Sequence, residues 1–345
     1  MGLFGRSKVT AGLDIGSGFV KLVIVDHSKE DPEITKIATS ALVPDAIVEG
    51  EVMDPVLVAE TIRSVVDQAE LGKNDVVAAV GGHDVIIKKI QMDRMDDSEA
   101  RELIRWEAHQ HVPFDMESVQ LDFQILDPEG DDPQMSVLLV AAKRELIENR
   151  LTLLADAGVE PAIIDVDAFA LHNSFEQSYP DSMAGMVALV NVGHETTNVN
   201  ILEEGVPIVV RDIPFGSRRI REALQRERGM TAEDAEDVIQ GRGEVPGLES
   251  FVTERVDELA VGIERAIAFI TAQSGGEGVD QVFLSGGGAR VPGVVNALGE
   301  RLGVTTQLAN PLERVAVRPD VTMEVAVDEV ASMLMLPVGL AMRRA

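Results

Sequence analysis

The chain contains no cysteine. Disulfides, thiolate catalysis and cysteine-ligated zinc are therefore excluded, and the composition suits a reducing compartment. Aromatic residues make up only 3% of the 345 positions, with one Trp and one Tyr. A core must be built from Val, Ile, Leu, Ala and Met, and a hydrophobic share of 45% is ample for that. Positive charge is also scarce: 30 Lys and Arg stand against 59 Asp and Glu, a formal net charge of −29. That balance argues against nucleic-acid binding, which needs cations clustered against phosphates, and against broad adhesion to anionic lipid. Long apolar runs are missing too. The most apolar late stretch, VASMLMLPVGLAMRR, is too short to span a bilayer and contains Pro337. The N-terminal MGLFGRSK lacks the apolar centre of a signal peptide, and Arg6 stands where myristoylation requires Ser or Thr. The expectation is a cytoplasmic protein of two domains, or one bilobed domain, that reaches a membrane only through a partner.

What is present is alternation of strand-length apolar runs with helical spacing, the pattern of an α/β fold. Residues 9–26 predict two strands about a glycine turn, and 34–43 a third. DPVLVAETIRSVVDQAELG (54–72) predicts a helix capped by Asp54, with Pro55 at its first position and Gly72 closing it. NDVVAAVGG (74–82) reads as a short buried strand. The next stretch differs. VIIKKIQM (85–92) predicts a strand, and DDSEARELIRWEAHQHVPFD (96–115) a helix starting with a capping box at Ser98 and stopping at Pro113. VQLDFQIL (119–126) and MSVLLVAAK (135–143) predict strands around an acidic loop, and RELIENRLTLLADAG (144–158) a helix. This β-α-β-β-α block predicts a small subdomain inserted into a larger one. Residues 160–177 read as strand then helix, and 214–272 as mainly helical, with a long helix over 248–274. Residues 281–303 read as strand, Gly-rich turn and helix, and VDEVASMLMLPVGLAMRR as one final helix.

One figure occurs twice. VTAGLDIGSGFVKLVIV (9–25) and VALVNVGHETTNVNIL (187–202) each run from an apolar strand through a polar turn into a second strand. DIG in the first stands where the second has NVG, so the acid Asp14 becomes the amide Asn191. Such turns present backbone N–H groups to an anion. Gly16 and Gly18 let the main chain approach a phosphate, Ser17 adds a hydroxyl, and Lys21 is close enough to reach one. Asp14, ending a buried strand, suits a hydrated Mg²⁺, which keeps most of its waters and is held through few carboxylates. A third element, LSGGGARVPG (284–293), sets three glycines between a strand and a helix. It offers a flat platform for a base or ribose, or for a phosphate at the helix N-terminus. By contrast, Glu107, His109 and His111 lack the spacing of a helical zinc site and predict a solvated face.

Two phosphate hairpins and a glycine platform resemble the actin, sugar-kinase and heat-shock-chaperone ATPase superfamily. GLDIGSGFVKLV, VIIKKIQM, IRWEAHQHVPFD, VLLVAAK, DVDAFAL and FLSGGGARVPG, in this order, resemble the PilM family of actin-like type IV pilus assembly proteins from about residue 9 onward. The resemblance implies an actin-like, duplicated ribonuclease-H-like α/β fold with two lobes. Subdomain 1A would comprise 9–82, 161–184 and 320–345. Residues 83–160 would be the inserted 1C subdomain shared with the cell-division protein FtsA, 185–215 with 273–319 subdomain 2A, and 216–272 the helical subdomain 2B.

For ATP and Mg²⁺ the resemblance implies a first phosphate motif of Asp14, Gly16, Ser17, Gly18 and Lys21, and a second of Asn191, Gly193, His194, Thr196 and Thr197. It places Gly286, Gly287 and Gly288 at the adenosine, Gly216 and Ser217 on the ribose side, and Glu236 at the ribose hydroxyls. Ile239 replaces the Lys with which many relatives flank the base. His194 is expected either to donate to a phosphate oxygen when protonated or to serve as a turn residue. Asp165 or Asp167 is expected to orient water or metal, or else to cap. The implied partner is the cytoplasmic N-terminal peptide of the bitopic protein PilN, extended in a groove beside the insert, together with other proteins of the inner-membrane platform and further copies in an oligomer or ring. Trp106 and Phe114 either anchor that peptide or fill the subdomain core.

Asn191 carries no charge to balance Mg²⁺ and cannot act as a base. The expectation is an ATP-binding protein that hydrolyses slowly or not at all, with nucleotide setting partner affinity. The alternative is an FtsA-like, filament-forming ATPase of cell division or the cytoskeleton. Against it, no linker to a membrane-binding amphipathic helix follows the last predicted helix. A sugar or acid kinase lacks a clear catalytic Asp and is set aside.

Overall fold

Strand β1 (Val9–Ile15) turns at Gly16–Gly18 into β2 (Phe19–Asp26), and β3 (Glu33–Ala41) adds antiparallel to β2. The computed structural model in which this meander is seen describes residues 8–72, 75–273, 278–321 and 326–344. Arg6, Asn74 and Ser274, on which sequence expectations fell, lie outside the described residues. A two-residue hairpin of β4 (Ile47–Val48) and β5 (Glu51–Val52) leads to helix α1 (Pro55–Gln68). Asp54 caps α1 by accepting from the Leu57 N–H at 3.1 Å. Gly72 does not close it: Glu70 takes the left-handed φ of 52°, and the Leu71 N–H reaches back to the Val66 carbonyl. Strand β6 (Asp75–Val80) then lies parallel to β1.

The insert follows as β7 (Val85–Asp93), α2 (Asp97–Ala108), β8 (Val119–Ile125) and β9 (Gln134–Lys143), a three-stranded antiparallel sheet of order β7-β9-β8. The cap lies two residues before the expected Ser98: it is Asp96, accepting from both the Glu99 N–H and the Ser98 hydroxyl. It ends at Ala108, short of Pro113. Met135, Val137, Leu139 and Ala141 of β9 pack on Ala100, Ile104 and Ala108 to give the insert its own core. Helix α3 (Arg144–Asp156) falls within the expected insert but buries Leu153 and Leu154 in the first lobe, against Val58, Ile62 and Val65 of α1.

Strand β10 (Pro161–Val166) pairs parallel with β6, and α4 (Asp167–Ser178) crosses to the second lobe. There the plan repeats. Strands β11 (Met186–Val192), β12 (Thr197–Glu203) and β13 (Val206–Ile213) form a meander, followed by α5 (Ser217–Arg228), α6 (Ala232–Ile239) and the long α7 (Leu248–Gln273). Strand β14 (Gln281–Ser285) is parallel to β11, and β15 (Thr305–Leu308), reached through α8 (Val294–Leu302), is parallel to β14. The sheets read β10-β6-β1-β2-β3 and β15-β14-β11-β12-β13, the same order built twice. Strand β16 (Ala316–Val317) already pairs with β3, so the chain re-enters the first lobe before residue 320.

The expected single final helix is broken into α9 (Val327–Val330), a 3₁₀ turn over 331–334 and α10 (Met335–Met342). Helix α10 is buried between β1 and α4, and the fit is backbone on backbone: a Cβ at Gly339 would lie 1.7 Å from the Ala170 carbonyl oxygen. Phe175 and Phe283 meet edge-to-face at 4.7 Å, joining α4 of the first lobe to β14 of the second with Leu336 and Leu340 of α10 around them. This shared apolar seam packs the two lobes against one another. Among the described residues, no helix is long and apolar enough to cross a membrane.

Candidate functional site

The two duplicated hairpins face one another across a cleft of about 1330 Å³. The register of each is fixed by the pleat, so the residue ending the first strand sits opposite a defined residue of the second. In the first lobe Asp14 is opposite Lys21, and their side chains form a largely buried ion pair at 2.5 Å. In the second lobe the equivalent register pair is Asn191 and Asn198. Asn191 Nδ2 donates to Asn198 Oδ1 at 3.3 Å, and Asn191 Oδ1 accepts from the Ser285 hydroxyl at 3.3 Å. Asn198 in turn donates through Nδ2 to the Asp212 carboxylate on β13. The second hairpin thus carries a chain of neutral amides ending on an acid where the first carries one ion pair.

The turns themselves touch. A Cβ at Gly18 would lie 2.9 Å from the Cβ of His194, so the jaws meet at a glycine. Burial, with the nearby Arg221 charge, holds the His194 imidazole below its ordinary pKa, which favours the neutral ring beside the Ser217 hydroxyl at 3.3 Å. The backbone of the second turn is built into α5: the Ser217 N–H donates to the Gly193 carbonyl and the Arg218 N–H to that of His194. This leaves the Ser17 side and the Thr196 side open to the cleft.

The floor is more acidic than the motifs alone suggest. Asp167, first residue of α4, lines the cleft against Gly81, where a Cβ would stand 2.2 Å from its Oδ2. Burial first and the Asp14 charge second push its carboxyl up to about 7, while Arg150 opposes them. Arg150 reaches the cleft from α3, and burial lowers its pKa against the favourable pull of Asp167 and Asp14. Burial likewise raises Asp212, partly offset by the hydrogen bond from Asn198. Carboxylates at 14, 167 and 212 faced by Lys21 and Arg150 form a mixed-charge floor. It suits a ligand bearing both anionic groups and a hydrated cation.

At the far end, Gly286 and Gly287 line the cleft with Glu236, Ile239, Gln240 and Arg290. Gly286 needs its φ of 84° and its missing Cβ, which would come 2.4 Å from the Val192 carbonyl oxygen. Glu236 is already engaged by Gln240, at 2.5 Å, and by Arg221, at 3.4 Å. The Arg290 guanidinium donates to the Met333 sulfur at 3.2 Å, and burial lowers its pKa.

A family model described as type IV pilus assembly protein PilM matches residues 12–345. The chain belongs to the PilM family. The solved PilM–PilN type IV pilus biogenesis complex contains a chain 29% identical, with a TM-score of 0.83 over 97% of this chain and 98% of that one. The cell-division protein FtsA of Bacillus subtilis (strain 168) is 21% identical over 353 residues, 89% of this chain and 79% of the relative. MreB 5 of Spiroplasma citri bound to AMPPNP is 12% identical with a TM-score of 0.52, covering 96% of this chain and 94% of that one, and this likeness concerns the fold. The fold is actin-like and two-lobed, as the sequence motifs imply.

Within this PilM-family fold the motif residues come together unequally. Asp14, Gly16, Ser17, Gly18, Lys21, Asn191, Gly193, His194 and Thr196 line the cleft, as do Ser217, Glu236, Gly286 and Gly287. Thr197, Gly216 and Gly288 sit behind that lining. Thr197 is fully buried and donates to the Phe215 carbonyl at 2.8 Å. Gly216 lies against the His194 backbone and Gly288 against Val192, so both shape the turns from behind. Of the two aspartates left open by the sequence, Asp167 reaches the cleft. Asp165 is held near Arg343 of the C-terminal segment, at 3.6 Å. Trp106 and Phe114 lie on the insert: Trp106 is 66% exposed on α2, and Phe114 is half-buried beneath the Lys143 ammonium, 4.8 Å from its ring centre.

Sequence reasoning missed Asn198, Asp212, Arg150 and Gly81. Asn198 was recoverable, because the offset that maps Asp14 to Asn191 maps Lys21 to Asn198. Asp212 and Arg150 sit in elements with no motif and reach the cleft only through the topology.

Proposed function

We propose that the chain is an ATP-binding assembly protein of the type IV pilus machinery whose nucleotide state sets its affinity for a PilN-type peptide, with slow or absent hydrolysis. The observation that carries this reading is the inequality of the two hairpins: an Asp–Lys pair in one and an Asn–Asn pair in the other at the same register. Lys21 and the N–H groups of both turns would take the phosphates, and Asp14, released from Lys21, would hold the waters of Mg²⁺. When bound, Mg²⁺ would neutralise the phosphate charge. Glu236 and the Gly286–Gly287 platform would receive the nucleoside. The partner peptide would lie extended beside the insert, where Trp106 and Leu103 expose apolar surface. Attachment to the inner membrane would come through that partner, and further copies would join in an oligomer.

The deciding experiment is a titration of Mg·ATP with and without a PilN N-terminal peptide. The reading predicts reciprocal coupling, each ligand tightening the other by the same factor. Equal affinities in both titrations would leave a scaffold with no switch. A second reading, a competent FtsA-like ATPase, is favoured by one observation: Asp167, raised to about 7, sits in the cleft and could accept a proton near neutral pH. Phosphate release that falls at least tenfold in Asp167→Asn would support it.

A further inference from the structure

The mouth of the cleft is crossed by a strap that neither hairpin motif includes. Residues 42–53 leave β3, and the Leu42 N–H donates to the Gly18 carbonyl of the first turn at 2.9 Å. Ala46 and Ile47 are buried in the first lobe, so the segment is anchored there. Two of its outward residues reach the other lobe. Asp45 pairs with Arg218 at 2.7 Å, and the Glu49 N–H donates to Glu195 Oε2 at 2.8 Å. Asp45 and Glu49 are also the strap's two non-glycine residues in the left-handed region, with φ of 63° and 52°. That conformation is uncommon for such residues and persists where surrounding contacts determine it.

On the second lobe the receiving groups form one unit. Arg218 binds Glu195 at 2.6 Å and Glu222 at 2.7 Å besides Asp45, and these carboxylates push its pKa up against burial. Glu195 belongs to the second phosphate turn itself, and the Arg218 N–H closes on the His194 carbonyl of that turn. Whatever displaces the backbone of residues 193–196 therefore displaces both lobe-crossing contacts.

We infer that Arg218, Glu195 and Asp45 form an interlobe latch that holds the cleft closed and slows release of whatever occupies it. The latch rests on the nucleotide reading only for its effect on release; its effect on lobe separation stands without it. Because the chain has no cysteine, Glu60→Cys on α1 and Glu233→Cys on α6, both exposed, can be spin-labelled in the full chain without background. Arg218→Ala should lengthen and broaden the interlobe distance distribution. In stopped-flow release of a fluorescent ATP analogue it should raise the off-rate about two- to fivefold. Asp45→Asn, on a side chain 63% exposed and so without risk to folding, should give a smaller rise, and its effect should vanish in the Arg218→Ala background. High salt should mimic both variants. Unchanged distances and release in Arg218→Ala and Asp45→Asn would overturn the latch. A wild-type chain that fails to bind the analogue would sink the nucleotide reading, and the distance measurement would still decide the latch.

Discussion

Replacing Asn191 by aspartate, the residue at the equivalent register position of the first hairpin, should destabilise the nucleotide-free protein. The amide network gives the reason. Its donors run one way: Ser285 hydroxyl to Asn191 Oδ1, Asn191 Nδ2 to Asn198 Oδ1, Asn198 Nδ2 to the Asp212 carboxylate. A carboxylate at 191 has no donor for Asn198 Oδ1. If the Asn198 amide flips to serve it, its oxygen then faces Asp212, and the clash of acceptors moves one strand over. Either way one half-buried acceptor is left facing another, which costs about 1–3 kcal/mol. For a chain of 345 residues that is a loss of about 1–4 °C in Tm. Asp212→Asn removes the constraint at the far end, since a neutral amide can present either its oxygen or its NH₂ to Asn198. The double variant should therefore regain most of the loss. The assay is thermal unfolding of the wild type, both single variants and the double variant, without nucleotide or divalent cation. Additive effects in that cycle, or an Asn191→Asp variant as stable as the wild type, would refute the argument from the amide chain.

Other substitutions test the interlobe seam, the platform and the cleft floor. Phe175→Ala removes a fully buried ring from the seam between the lobes and should lower unfolding stability by about 3–5 kcal/mol in a denaturant titration. Gly286→Ala places a Cβ 2.4 Å from the Val192 carbonyl oxygen at a φ of 84° and should cost roughly 2–3 kcal/mol, with loss of ATP-analogue binding as a second readout. The Asp167 carboxyl is raised to about 7, so the folded state holds its proton more tightly than the unfolded chain. Its contribution to stability is fully present below the unfolded pKa near 4 and is lost as pH rises towards 7. Asp167→Asn should flatten that part of the profile and raise stability at pH 8 relative to wild type, as urea titrations at pH 5 and pH 8 would register.

Much of this architecture was legible because strands and turns follow local rules. The two hairpins were visible as apolar runs broken by DIG and NVG, and the β-α-β-β block stood out as a change of rhythm. Local rules also account for the errors. Asp96 outcompetes Ser98 as a cap because its carboxylate accepts from the Glu99 N–H and the Ser98 hydroxyl together. Gly72 looked like a helix stop, but the chain reverses two residues earlier at Glu70. The tail looked like one helix because its hydrophobicity is continuous, yet α10 must slot between β1 and α4, and the 3₁₀ turn at 331–334 sets its entry. The cleft floor was the least legible part. Arg150 arrives on α3 from behind the insert, and Asp212 from the edge strand of the second sheet. No spacing in the sequence brings either to Asp14.

Asp212 also changes what the exchange of aspartate for asparagine means. Taken alone, Asn191 suggests that the second lobe has lost its acid. In the sheet, Asn191 pairs with Asn198 and Asn198 with Asp212, so the negative charge has been set back from β11 to β13. At about 4.8 Å per strand that is a retreat of roughly 10 Å from the central position. In the first lobe the corresponding place on β3 is Thr39, opposite Lys21, and the acid stays at the front as Asp14. At the register position of Asp14 the second jaw thus presents an amide, with its carboxylate two strands further out at Asp212. Asp212 still lines the cleft and orients the amides through Asn198. The two jaws therefore present unlike groups at the same register, an acid in one and an amide in the other, and this inequality is the physical basis for proposing binding with little turnover.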